Sequence, residues 1–267
     1  MTINKNKVIM NFSRHALRYD TYAIVQKEMA LEFINIIKEK KEPFVNILEI
    51  GAGTGFLTKL LCEKFPHSSI LATDISEAML TVARRNLSIY PNVMFKQLDG
   101  ENLNCNKEEF DLIVSNAVIQ WFNNYENTFT SYLKALKQGG YMMSSTFGEG
   151  TFQELRFSLQ IALQNLGIVS STFPGQDLLN KDKLRDYLIF CGFSQVKITE
   201  DYRLMKYNTV TQLFESIKNT GAGNATGNRV FHNAKLTSEL IRCYGSLFRK
   251  DGQIPTTYHK LFAEGRK

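Results

Sequence analysis

The chain has 267 residues, of which 43% are hydrophobic and 22% are charged, and its formal net charge is +6. These values are typical of a globular protein with a sizeable core, and they favour one α/β domain with an insertion over two independent domains. No apolar run reaches the roughly 18–20 residues that a membrane span needs, and the polar N-terminus predicts no signal peptide.

The 4 cysteines lie far apart in the sequence, without a C-x-x-C pair or a neighbouring histidine pair. This distribution predicts reduced thiols, no metal site and a cytoplasmic location. The positive net charge favours an anionic partner, although scattered lysines on solvated helix faces would give the same balance.

The first predicted element is a helix over residues 11–40, in which apolar and aromatic residues recur at three- and four-residue steps. Tyr19, Tyr22 and Gln26 bring polar tips along its apolar face. The helix therefore either packs its aromatic rings on a sheet or acts as a lid over a ligand. Residues 1–42 are assigned as this N-terminal helical segment, which ends in a charged linker that contains a proline.

Residues 45–55 form the central pattern: a short apolar run, Glu49, and then Gly51, Gly53 and Gly55 at alternate positions. This pattern predicts a buried strand, a tight turn and a helix that begins near Phe56. A glycine turn facing a helix N-terminus suits an anionic, nucleotide-like ligand. The spacing does not match the G-x-G-x-x-G dinucleotide fingerprint as written.

Three further predicted strands end in polar residues that could hold such a ligand. The strand over residues 70–74 ends at Asp74, the strand over residues 93–97 leads to Asp99, and the strand over residues 110–115 ends at Asn116. An acid at the tip of the second strand can accept hydrogen bonds from both ribose hydroxyls. Four strand ends in register are a strong signal for a doubly wound nucleotide site.

The second half of the chain completes the sheet and adds an insertion. Trp121 lies in a loop directly beyond a strand end, where α/β sites are built, so a functional role is favoured over a core role. The remaining predicted helices cover residues 125–137, 151–166, 180–191, 210–218 and 236–248, and the remaining strands cover 141–147, 194–202 and 256–263. Residues 138–140 are interpreted as a glycine helix stop.

Domain boundaries follow from these elements. The α/β core is assigned to residues 43–204, a helical cap to residues 205–253 and the final strand of the core to residues 254–267. The cap contains a glycine- and asparagine-rich loop over residues 220–228, which is either a flexible connector or a substrate-facing loop. Its place inside a cap favours the second interpretation.

The motif Glu49-x-Gly-x-Gly-x-Gly resembles the first motif of the class I S-adenosylmethionine (SAM) methyltransferases. Over nearly its whole length the chain also resembles one family, the malonyl-acyl-carrier-protein O-methyltransferases of biotin synthesis (the BioC type). The resemblance rests on six segments: residues 12–26, 48–55, 115–121, 139–147, 221–224 and 257–259.

The resemblance implies a Rossmann-like, seven-stranded α/β sheet with helices on both faces, an N-terminal helical lid and a helical cap inserted before the last strand. It implies SAM as cofactor, converted to S-adenosylhomocysteine (SAH), and acyl carrier protein bearing a malonyl thioester as partner. The expectation is completed by a monomeric state, without a nucleic-acid or membrane partner. The implied cofactor-binding residues are Glu49, Gly51, Ala52, Gly53, Gly55, Asp74, Ile75, Met79, Asp99, Gly100, Glu101, Asn116, Ala117 and Gln120.

A malonyl carboxylate is already an anion at neutral pH, so methyl transfer to it needs no general base. The enzyme must instead position the carboxylate and exclude water. Tyr19, Tyr22 and Trp121 are expected to wall the methyl channel. Arg229 is the first candidate for holding the acyl carboxylate, in competition with Arg14, Arg18 and Arg156.

Two alternatives remain at this stage. A methyltransferase acting on another small carboxylic acid or on nucleic acid would share every cofactor residue, although the clustered basic and aromatic residues of an RNA-binding surface are not seen. A SAM-binding assembly or regulatory protein without this activity would also share the fold. Substrate competition separates the first, and measured methyl transfer separates the second.

Overall fold

The structure is a computed structural model that describes residues 2–40, 42–103, 105–169, 176–222 and 233–267. The helices are α1 (Lys5–His15), α2 (Tyr19–Tyr22), α3 (Ile24–Lys38), α4 (Phe56–Lys64), α5 (Glu77–Asn86), α6 (Tyr125–Ala135), α7 (Gln153–Asn165), α8 (Lys181–Phe190), α9 (Val210–Asn219) and α10 (Ala234–Phe248). The strands are β1 (Asn46–Ile50), β2 (Ser69–Asp74), β3 (Val93–Gln97), β4 (Phe110–Asn116), β5 (Leu136–Phe147), β6 (Ser194–Tyr207) and β7 (Ile254–Arg266). No helix of these described ranges is long and apolar enough to cross a membrane.

The seven strands form a single sheet in the order β3-β2-β1-β4-β5-β7-β6. β1 to β5 are parallel, and β7 lies antiparallel between β5 and β6. Strand order reverses between β1 and β4, and ligands of open α/β sheets bind beyond the strand ends at such a switch point. The predicted Rossmann-like sheet is confirmed, and this edge is where the site is expected.

Alternate residues of the central strands enter two cores because side chains along a strand point to opposite faces. Ile47 and Leu112 pack in a core with α3 and α4, whereas Leu48 and Ile113 pack in a core with α6 and α8. Both faces of the sheet are therefore covered, as parallel strands require.

The predicted single helix over residues 11–40 is wrong in detail, since the segment forms α1, α2 and α3. The Asn4 side chain accepts a hydrogen bond from Lys7 N, which starts α1 earlier than expected. Ala23 departs from helical geometry, with a ψ of 45°, and separates α2 from α3. These breaks interrupt the apolar stripe that the sequence pattern suggested.

The predicted glycine stop at residues 138–140 is also corrected, because α6 ends at Ala135 and these residues lie within β5. Gly139 has a φ of +79°, and its N–H donates to Lys267 O at 3.2 Å. The pairing of β5 with β4 shifts register here, so the glycines mark an irregularity in the strand rather than a helix end.

The helices predicted at residues 210–218 and 236–248 are present as α9 and α10, and they share a core with α7. Leu155 and Leu159 of α7 pack with Leu213 of α9 and Leu240 of α10. β6 also runs beyond the expected boundary at residue 204, to Tyr207. Residues 172–175 and most of the predicted cap loop, residues 223–228, lie outside the described residues.

Candidate functional site

The glycine turn joins β1 to α4 at the switch point. Gly51 has a φ of +71°, and a Cβ placed there would lie 2.3 Å from Val118 Cγ2, so the turn packs directly on the segment after β4. Gly53 has a φ of +57° and open space where its Cβ would be. The turn therefore has one packed side and one side that a ligand can approach.

Asp74 lies at the end of β2 and is buried. Its Oδ2 accepts from Gly53 N at 2.9 Å, and its Oδ1 accepts from Ser76 N at 2.8 Å. Burial raises the pKa of Asp74 to about 6, against the opposing effect of these backbone donors. The carboxylate fixes the glycine turn and keeps lone pairs for further donors.

Glu49 is 1% exposed and lies where β1 meets the turn. Within the described part of the chain, its Oε2 has no hydrogen-bond partner. Burial, together with the charge of Asp74, raises the pKa of Glu49 to about 7, against the opposing effect of the nearby Thr58 hydroxyl. Burying a carboxyl oxygen without a hydrogen-bond partner costs free energy, and this oxygen can accept a hydrogen bond from a ligand.

The turn and the strand ends line two small spaces that share lining residues, and we call the two together the cofactor cleft. One part, of about 80 Å³, contains the predicted residues Gly51, Gly53, Asp74, Ile75, Met79, Asp99, Gly100, Asn116 and Ala117. The other part, of about 40 Å³, contains Glu49, Gly51, Ala52, Gly53 and Asn116. Most of the predicted cofactor residues thus lie together.

Lys5 is a cleft residue that the sequence pattern missed. Its Nζ lies 3.2 Å from Asp99 Oδ1 and 2.7 Å from Glu101 Oε2, so α1 spans the outer end of the cleft. Glu101 also accepts from Asn123 N at 2.6 Å. Because 94 residues separate Lys5 from Asp99, no local sequence signal connects them.

Asn116 also contacts the N-terminal segment. Its Nδ2 donates to Gln26 O at 3.0 Å, and its Oδ1 accepts from Ser145. The amide is therefore held between α3 and β5 while it lines the cleft. The structure assigns it a positioning contact that the sequence did not suggest.

A larger space adjoins the cofactor cleft and has a volume of about 420 Å³. We call it the acyl cavity after the acyl substrate that the sequence resemblance implies. Its wall is mainly apolar and is drawn from the N-terminal segment, the ends of β5 and β7, α7 and α9. Phe12, Tyr19, Trp121, Phe147, Phe152, Leu155, Phe214, Ile217 and Tyr258 are among the lining residues. Gln120, predicted at the cofactor, lines this cavity, where it accepts from Thr146 Oγ1 at 2.7 Å.

Three aromatic rings lie where the two spaces meet, and we call Phe12, Tyr19 and Trp121 the aromatic partition. Each lines both the cofactor cleft and the acyl cavity. The Phe12 ring centroid lies 5.5 Å from that of Trp121, with perpendicular planes, and 6.3 Å from that of Tyr19. Burial, together with the nearby charges of Asp74 and Asp20, raises the pKa of Tyr19, so its hydroxyl stays neutral.

His259 holds the turn that follows β5, where Phe147 and Phe152 enter the cavity wall. Gly150 N donates to His259 Nδ1 at 3.2 Å, and the His259 ring stacks on Tyr202 at 4.4 Å. A Cβ at Gly148 would lie 2.5 Å from His259 Nδ1. The absence of side chains at Gly148 and Gly150 therefore leaves room for the His259 ring.

Other predicted residues lie elsewhere. Tyr22 is half-buried and lines neither the cleft nor the cavity. Its predicted role assumed one continuous helix, and the break at Ala23 interrupts that helix. Gly55 supports the start of α4, where a Cβ would lie 2.7 Å from Leu87 Cδ1. Arg14 and Arg18 are exposed and Arg156 lines the cavity, whereas Arg229 is outside the described residues.

Comparison with known proteins agrees with this geometry. Residues 47–140 match the family model described as a methyltransferase domain. A malonyl-[acyl-carrier protein] O-methyltransferase of Acetivibrio thermocellus is 37% identical over 275 residues, covering 99% of this chain and 95% of the relative. A protein of the same name from Priestia megaterium is 37% identical and covers 97% of this chain and 96% of the relative.

Solved structures share the fold at low identity. The YcgJ protein of Bacillus subtilis superimposes with a TM-score of 0.61 at 13% identity, covering 89% of this chain and 98% of that one. Phosphoethanolamine N-methyltransferase 2 of Haemonchus contortus, solved with SAH, gives a TM-score of 0.57 at 16% identity, covering 90% of this chain and 53% of that one. The full-length relatives, together with the cleft at the switch point, show that the chain belongs to the malonyl-[acyl-carrier protein] O-methyltransferase family.

Proposed function

We propose that this protein transfers the methyl group of SAM to the free carboxylate of a malonyl thioester on acyl carrier protein, giving the malonyl methyl ester that starts biotin synthesis. The observation that carries the proposal is the pair of adjoining spaces, a polar cleft at the strand ends and an apolar cavity, that meet at the aromatic partition. The names of relatives that match nearly the whole chain supply the acceptor.

The residues of the cofactor cleft fit SAM. The unpartnered buried oxygen of Glu49 suits the ammonium group of the methionine part. Asp74 retains acceptor capacity for ribose hydroxyls, and the open side of Gly53 allows a ligand to lie against the backbone. When bound, SAM supplies an electrophilic methyl group on a positively charged sulfur.

The chain's own residues have three tasks in this reaction: to bind both reactants, to orient them and to exclude water. The acceptor carboxylate needs no base, since its pKa lies well below neutral pH. The rings of Tyr19 and Trp121 line both spaces at their junction, where they would exclude water once both reactants are bound. Tyr19, which stays neutral, offers a hydroxyl donor at the same place.

A carboxylate that enters an apolar cavity needs a cation or several donors. Arg156 and Lys218 are cationic residues of the cavity wall. Burial lowers the pKa of Arg156, while the charges of Asp177 and Glu149 oppose the decrease. Its position supports Arg156 over the exposed Arg14 and Arg18, and Arg229 stays a prediction from the sequence.

The partner in this proposal is an acidic carrier protein, whose charge is opposite in sign to the net +6 of the chain. We place the reaction in the cytoplasm, where the free thiols of all 4 cysteines would stay reduced. The protein is proposed to act as a monomer. Sedimentation of the purified protein tests that last point.

The direct test is transfer of a labelled methyl group from SAM to malonyl-acyl carrier protein, with free malonate, acetyl-acyl carrier protein and bulk RNA as parallel acceptors. We expect label on the malonyl carrier alone, in a base-labile ester. Label on free malonate or RNA instead would reassign the acceptor. SAM binding without transfer to any of them would support the assembly or regulatory alternative.

A further inference from the structure

Gly221, at the end of α9, packs directly on the N-terminal segment. Its φ is +70°, and a Cβ placed there would lie 2.9 Å from Phe12 Cδ1 and 3.2 Å from Phe12 Cα. The neighbouring Ala222 packs with Phe12 in the cluster around Trp121. The cap and α1 therefore meet at a contact that only glycine fits without strain.

Phe12 also belongs to the aromatic partition, so the residue that contacts the cap lines both the cofactor cleft and the acyl cavity. On its other side Phe12 packs in the cluster of Ala16, Met79 and Val82, which includes Tyr19. A shift of Phe12 would change the wall of both spaces at once.

The rest of the N-terminal segment is tied to the cofactor cleft at separate points. Lys5 pairs with Asp99 at the outer end, as described above. Ser13 Oγ lies 2.8 Å from Ser76 Oγ, next to Asp74. Thr54 Oγ1 of the glycine turn donates to Asp20 Oδ1 at 2.8 Å. One continuous segment thus covers the cleft and supplies Phe12 to the cavity.

We propose that the Phe12–Gly221 contact couples the two sites, so that a filled cofactor cleft orders the N-terminal segment and, through Phe12, the cap wall of the acyl cavity. Phe12 is a positioning residue in this scheme. By linkage, each ligand then tightens the other by the same factor, and such coupling is typically about 5- to 150-fold. The identity of the acyl ligand rests on the proposed function, whereas the contact itself does not.

The first test compares Gly221→Ala with Gly252→Ala. Gly252 has a φ of +75° and open space where a Cβ would lie, so its variant has the same backbone strain without the Phe12 contact. SAH is titrated calorimetrically into each protein, with and without saturating malonyl-acyl carrier protein, which cannot react because SAH has no methyl group to transfer. In the wild type and Gly252→Ala we expect malonyl-acyl carrier protein to tighten SAH binding by at least about fivefold.

In Gly221→Ala we expect that ratio to fall to near one, with a higher KM for malonyl-acyl carrier protein and a nearly unchanged kcat. The same ratio in the two alanine variants would overturn the proposal, as would a ratio of one in a wild-type protein that methylates malonyl-acyl carrier protein when SAM is supplied. Phe12→Leu should lower the ratio by itself. Adding it to Gly221→Ala should have little further effect, since both changes interrupt one contact, and additive losses would contradict the coupling.

A second measurement needs no acyl ligand and so separates this proposal from the proposed function. Residues of α9 line the acyl cavity but not the cofactor cleft. SAH alone should slow amide hydrogen exchange in α9 of the wild type and Gly252→Ala, but not of Gly221→Ala. Unchanged exchange in wild-type α9 with SAH bound would overturn the coupling even if methyl transfer is as proposed.

Discussion

The cofactor cleft and the acyl cavity are built in different ways. The cleft is formed mainly by the ends of β1, β2 and β4 and the turns that follow them, with backbone N–H groups and carboxylates bonded to each other. The cavity is formed by side chains from the N-terminal segment, the β5 and β7 ends, α7 and α9. The first is built mainly from parallel strand ends and their turns, whereas the second exists because distant elements pack together.

This difference predicts that changes in the cleft act on SAM binding and that changes in the cavity act on acyl-substrate use. Variants at single residues test this separation.

Asp74→Ala should have the largest effect, with SAH affinity lowered by about 100- to 1,000-fold. The change removes a charged acceptor of ligand hydroxyls and leaves the N–H groups of Gly53 and Ser76 without their partner. Calorimetric titration of SAH measures the loss. Asp182→Ala, at an exposed position of α8, is the matched control, and equal affinities for the two variants would contradict the role given to Asp74.

Glu49→Gln should change the pH dependence of stability in the cofactor-free protein. The pKa of Glu49 is raised from 4.5 to about 7 in the folded state. Between these pH values the carboxyl group is therefore protonated in the folded state and ionised in the unfolded state. Its contribution to stability is therefore largest below pH 4.5 and declines as the pH rises to about 7.

Glutamine does not ionise, so the variant should gain stability relative to the wild type over that window, on the order of 3 kcal/mol at its upper end. Denaturant unfolding between pH 4.5 and 8 measures the difference. A difference that stays constant with pH would show that Glu49 does not titrate as described.

Arg156→Gln should raise the KM for malonyl-acyl carrier protein by about 10- to 100-fold, the usual effect of losing a charge-assisted hydrogen bond, and should leave SAH affinity unchanged. Steady-state kinetics with Arg185→Gln, on exposed α8, as control test this. Arg229→Ala is assayed in parallel. A larger increase in KM for Arg229→Ala would return the carboxylate-binding role to that residue.

Lys5→Gln should have the smallest effect, a loss of SAH affinity of about two- to fivefold. The Lys5 ion pairs with Asp99 and Glu101 are partly exposed, and such pairs contribute little. Lys7→Gln on the same helix is the control. Because screening weakens an ion pair, the difference between the two variants should shrink in 0.5 M salt, and a difference that salt does not change would exclude an ionic role.

The amino-acid sequence was enough to predict the parallel strands, the glycine turn and the acids at the strand ends. These features depend on local rules: buried strands are apolar runs, and a turn with positive φ angles favours glycine. Glu49, Asp74 and Asp99 could therefore be placed at or near the ends of their strands. The exact start of α1 and the end of α6 could not, because caps and strand irregularities shift element ends by a few residues.

The contacts between the remaining residues depend on the packing of distant parts of the chain. Lys5 lies against Asp99, Asn116 contacts Gln26, and Phe12 contacts Gly221, although roughly 90 to 200 residues separate the members of these pairs. The same holds for α7, whose apolar face could have packed on the sheet but joins the cap. Periodicity shows that a residue is on an apolar face, but the element that covers that face is selected by the packing of the whole chain.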